Sequence, residues 1–101
     1  MATSTKVLFR GAATTTVGTT LYTVPSSTTT IVTNIAVTNT AGTAGTFTIA
    51  LAGTALHTTA AIAANTTAYI DLKQVLAATN VITGGASATS INFHISGIEV
   101  S

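Results

Sequence analysis

Between Thr30 and Asn39, the residues Ile31, Thr33, Ile35 and Val37 alternate with Val32, Asn34, Ala36 and Thr38. That period of two predicts a strand with its odd side chains turned inward. Thr46 to Ala52 repeats the rhythm, with Phe47, Ile49 and Leu51 set against Thr46, Thr48 and Ala50. The intervening Thr40-Ala41-Gly42-Thr43-Ala44-Gly45 carries the glycines a turn needs, so the two segments are expected to pair as a hairpin.

Ala68, Ile70 and Leu72 alternate with Thr67, Tyr69, Asp71 and Lys73, which puts both charges of that segment on an outer face. In the last segment Ile91, Phe93 and Ile95 are apolar at odd positions and Ile98 and Val100 at even ones, so the apolar phase flips across Ser96-Gly97. A bulge at Gly97 would restore the inward direction. Weaker strands are expected at Lys6 to Arg10 with Val7 and Phe9 inward, at Thr20 to Val24 before Pro25, at Thr54 to Ile62 around Leu56, and at Asn80 to Thr83 before Gly84-Gly85. Leu72, Val75 and Leu76 have helical spacing, which predicts one helical turn at most between Leu72 and Thr79.

Short strands parted by turn residues every 8 to 12 positions or so point to an all-β fold. The expectation is an antiparallel β-sandwich of about eight short strands, wound as a jelly roll or an immunoglobulin-like Greek key. Residues 1–5 read as an N-terminal arm, Gly11 to Gly18 as a loop, and residues 6–101 as a single domain.

Composition narrows the chemistry. The chain has 101 residues with Lys+Arg 3, Asp+Glu 2, His 2, no Cys and no Trp, and its charged fraction is 5%. Its expected folded surface is about 5,200 Å². Only Lys6, Arg10 and Lys73 are basic, too few to neutralise a run of phosphates, so neither nucleic acid nor an anionic membrane is an expected partner. Without cysteine there are no disulfide staples and no thiolate metal sites. No apolar run approaches 18 residues or so, and Met1 to Lys6 lacks the shape of a signal peptide, so the chain reads as made in the cytoplasm without one. Asn65-Thr66-Thr67 then reads as a turn entering a strand, not a glycosylated sequon.

Catalysis would have to draw on His57, His94, Asp71 and Glu99 with one of many hydroxyls, a poor inventory for general acid and base work. His57 and His94 are both expected on outer faces, as surface or interface imidazoles. Two histidines do not complete a metal site within one chain, so no metal and no cofactor is expected unless copies share one. Gly42, Gly45, Gly84 and Gly85 are not followed by Lys and a helix start, and read as turn glycines and not as a phosphate loop. Tyr22 and Tyr69 could stack on a sugar ring, or else serve packing or an interface. Thr-rich clusters begin at residues 14, 28, 38 and 46, without the constant interval an ice-binding array requires. Few charges and one proline guard the strand edges, so the chain is expected to be covered by neighbours in an oligomer or on a larger particle.

Several stretches carry a resemblance. They are Leu21-Tyr22-Thr23-Val24-Pro25, the strand through Thr38-Asn39-Thr40, Phe47-Thr48-Ile49-Ala50-Leu51, Ala64-Asn65-Thr66, Leu76-Ala77-Ala78-Thr79-Asn80-Val81-Ile82, and Ile95-Ser96-Gly97-Ile98-Glu99-Val100. Over nearly the whole chain this resembles small virion proteins of tailed bacteriophages, found among head-decoration and tail-associated components. Asn80 stands where that group often has Asp. The resemblance implies a non-enzymatic capsid decoration, or cement, protein on the capsid exterior, binding the major capsid protein between capsomers, with a homotrimer favoured. Lys6 and Arg10 are the expected contacts to an acidic shell, the alternative being a solvated edge strand. The second role the resemblance allows is a tail, neck or baseplate module that binds a host glycan through Tyr22, Tyr69 or the loops.

Overall fold

The computed structural model describes residues 3–101. They form eight strands: β1 (Thr3–Ala12), β2 (Thr20–Thr23), β3 (Thr29–Asn39), β4 (Gly45–Leu51), β5 (Thr54–Ile62), β6 (Thr66–Leu76), β7 (Val81–Ala86) and β8 (Ile91–Val100). Every pairing is antiparallel. One sheet runs β1-β8-β3-β6 and the other β2-β7-β4-β5. First pairs with last, second with seventh, third with sixth and fourth with fifth, so the chain is one long antiparallel ribbon rolled into two layers. That winding is a jelly roll, and it decides between the two expected topologies.

Between the layers lie Phe93, Ile35, Ile49, Ile82, Ile91, Ile95, Val24, Val32 and Val37, all fully buried. Phe47 meets Phe93 edge to face with ring centroids 6.3 Å apart, a favoured aromatic geometry. The accessible surface, 5103 Å², matches the area expected for the chain's mass.

The hairpin expected between β3 and β4 does not form. β3 pairs with β6 and β8, whereas β4 pairs with β5 and β7 in the opposite sheet. Asn39 makes the corner where the chain changes layer. Its buried Nδ2 donates to the carbonyls of Thr43 (2.9 Å), Ile62 and Ala63 (3.4 Å each), and its Oδ1 accepts from the Ala41 amide at 3.0 Å. The tight hairpin is β4-β5 instead, turned by Ala52 (φ 52) and Gly53 (φ 79), two positive-φ residues that match the natural twist of a two-residue loop.

Two local expectations are corrected. Thr3, Ser4 and Thr5 of the expected arm belong to β1, with Thr3 paired to Val100, and residues 1–2 of it lie outside the described residues. Between Leu72 and Thr79 no helix forms, within the expectation of one turn at most, because β6 runs on to Leu76 with Val75 outward and Leu76 buried. Gly84 and Gly85 are not turn residues, since both lie inside β7. A Cβ on Gly85 would sit 2.5 Å from the Thr16 carbonyl oxygen, so this position admits only glycine beside the loop that crosses it.

Candidate docking face

The irregular part of the first sheet lies beside Gly97, but not in β8. From Gly97 to Ser96 β8 advances one residue, while its neighbour β3 advances from Val32 to Asn34 and β6 from Gln74 to Asp71. β1 carries its own extra residue between Val7 and Phe9. The bulge expected at Gly97 is therefore taken up by the neighbouring strands, which flip phase around a regular β8. Two inward assignments change in consequence. In β1, Leu8 is buried and Val7 is 45% exposed, and in β3, Thr30 and Val32 are buried where Ile31 and Thr33 were expected.

Because β8 never flips, Ile98 and Val100 face outward. Cross-strand register places Thr5, Ile98, Ile31 and Val75 in one outer row, and Val7, Ser96, Asn34 and Asp71 in the next. The strands fan apart at this level and leave two shallow depressions either side of Thr33, of about 420 and 480 Å³. Thr5, Val7 and Ile98 line the first, Asp71 and Lys73 the second. Val7 and Val75 are among the exposed large hydrophobic residues of the chain.

The following row gathers three of the six candidate residues. Arg10 pairs with His94, His94 with Ala36 and Ala36 with Tyr69, so these four cross the outer face in line. At about 4.8 Å per strand, Arg10 and Tyr69 are about 14 Å apart at the backbone. Tyr69 is 74% exposed.

Lys6, Tyr22 and His57 lie elsewhere. The β1 bulge turns Lys6 to the opposite side from Arg10, and its Nζ lies 3.4 Å from Glu99 Oε2, so the two basic residues do not form one patch. His57 is opposite the buried Ile49 and stacks obliquely against Phe47 with centroids 5.6 Å apart, so it belongs to the core rim of the second sheet and not to an outer face. Tyr22 reaches across from β2 to the first sheet. Its hydroxyl donates to Glu99 Oε2 and accepts from the fully buried Thr30 hydroxyl at 2.9 Å. Burial, then the carboxylate beside it, raises the Tyr22 pKa, while the phenol hydrogen bond holds Glu99 below the usual carboxylate range. Tyr22 and Tyr69 therefore share no platform.

Sequence reasoning missed this Lys6-Glu99-Tyr22-Thr30 clasp. The signal was present in the unbroken odd series 91, 93, 95, 97, 99, which points Glu99 inward. His57 and His94 sit on different sheets, Asp71 accepts from Asn34 Nδ2 at 3.3 Å, and Glu99 is held in the clasp. Among the described residues, no group of three or more His, Asp and Glu side chains could hold a metal ion. No protein-family model matches the chain, and no curated protein matches it at a meaningful level.

Proposed function

We propose that the chain is a non-enzymatic virion component that decorates a bacteriophage head, seated on the major capsid protein through the outer face of its first sheet. One observation carries the reading. Ile98, Val100, Ile31, Val75 and Val7 lie on the outside of a sandwich whose core is already complete without them. A group of apolar side chains on a solvent face is a marker of a covered surface. The resemblance to phage virion proteins names the particle, and the jelly-roll winding, which recurs in viral capsid and lectin domains, supports it as a likeness of fold alone. Dispersed titratable groups favour docking over turnover. Arg10, on the same face, supplies a positive contact for an acidic shell, and Lys6, tied to Glu99, keeps β1 in place.

The test is co-sedimentation with empty heads built from the major capsid protein of the same genome. Wild-type chain saturates the heads. Val7→Asp, a charge placed beside the apolar row, abolishes binding while the circular dichroism spectrum is unchanged. Binding that survives Val7→Asp, or wild-type chain that stays in the supernatant, refutes the proposal.

A further inference from the structure

The first sheet ends in β6, whose far side has no strand beside it. Of the four edge strands, β2 has only 4 residues, β1 is broken by the bulge at Leu8, and β5 is shifted twice and bent at Thr59 (φ 49). β6 has 11 residues and a single register slip against β3, between Asp71 and Gln74, and its Tyr69, Asp71, Lys73 and Val75 are exposed. Natural sheets normally guard such an edge with charge or proline. Here the two charges are of opposite sign, two residues apart on one face. Among the described residues the chain's ion pair is Lys6 with Glu99, so Asp71 and Lys73 have no ionic partner within it.

We propose that two copies of the chain pair antiparallel along β6, about a two-fold axis through Leu72. In that register Asp71 of each copy faces Lys73 of the other, and Tyr69 faces Val75. These pairs bring together the two opposite charges and the two most exposed large apolar side chains on the strand, 74% and 67% exposed. The register is selected by repulsion as much as by attraction. Sliding by one pair of residues in one direction sets Asp71 against Asp71, and in the other sets Lys73 against Lys73, and like charges directly opposite destabilise a strand pair. An odd slip would oppose inner to outer faces. The contact is self-complementary and closed, as a two-fold interface must be. It joins two four-stranded sheets into one continuous eight-stranded sheet with both outer faces on the same side. A two-fold pair takes the place of the three-fold ring that the family resemblance implies. It shares Val75 with the head-docking face, whereas Val7 and Ile98, which the head-binding test reads, lie toward the opposite edge.

Sedimentation equilibrium of the full chain tests it. Wild-type chain has twice the mass of a single copy. Lys73→Asp and Asp71→Lys each put like charges opposite one another at both symmetry-related positions, so each weakens association roughly tenfold or more. The double exchange D71K/K73D, which restores opposite charges with their places swapped, returns the two-copy mass. Circular dichroism confirms that each variant is folded, since both side chains are exposed. A wild-type mass of one or three copies, a single reversal that leaves association intact, or a double exchange that fails to restore it overturns the proposal.

Discussion

Asn39 is 1% exposed and makes four hydrogen bonds where the chain crosses from one layer to the other. Asn39→Ala deprives three carbonyls and one amide of this partner, which costs about 2 kcal/mol in a urea titration. The Tyr22-Glu99 contact makes a pH-dependent prediction. Glu99 titrates below its ordinary value of 4.5 in the folded chain. The unfolded chain therefore holds that proton more tightly. The clasp contributes its full stability above the ordinary value and loses it as pH falls through the lower folded one. Urea midpoints measured downward from neutral pH should fall in wild type and fall less in Glu99→Gln. Tyr22→Phe, which removes the donor but keeps the ring, costs about 1 kcal/mol at neutral pH. Equal acid sensitivity in wild type and Glu99→Gln would remove the clasp from the account.

Among the elements, β4 and the first part of β6 could be read directly from their alternation, because their own side chains keep a period of two there. Phe47, Ile49 and Leu51 are buried as expected, and Ala68, Ile70 and Leu72 face the core. β1 and β3 could be placed but not oriented, since one extra residue in each reverses the faces and hydrophobicity alone does not locate a bulge. The apolar Ile98 and Val100 invited a phase flip in β8 that the backbone does not make. They are apolar on the outside of the fold, and the docking proposal starts from that mismatch. The candidate residues fared alike: Arg10, His94 and Tyr69 were recognised singly, but their common row depends on strand order, which local pattern does not contain. β7 was cut short at Gly84-Gly85 because glycine usually marks a turn, whereas here it admits a crossing loop. Gly85→Ala should displace residues 13–19 and lower stability by about 1 to 3 kcal/mol in thermal melts. A neutral result would mean that the loop moves aside at no cost.

As a whole molecule, the chain places its scarce charge sparingly. Lys6 and Glu99 close one end of the sandwich, Asp71 and Lys73 mark an edge, and Arg10 stands on the outer face with His94 and Tyr69. The rest of the surface is largely hydroxyl and methyl, so the proposed attachment would depend on shape and apolar contact more than on charge, and should be only weakly sensitive to salt. An electron cryo-microscopy map of heads saturated with the chain tests this account most directly. The account predicts sandwich density with the β1-β8-β3-β6 sheet against the shell and Val7 and Ile98 at the contact. Density with the β2-β7-β4-β5 sheet against the shell, or bare heads, would contradict it.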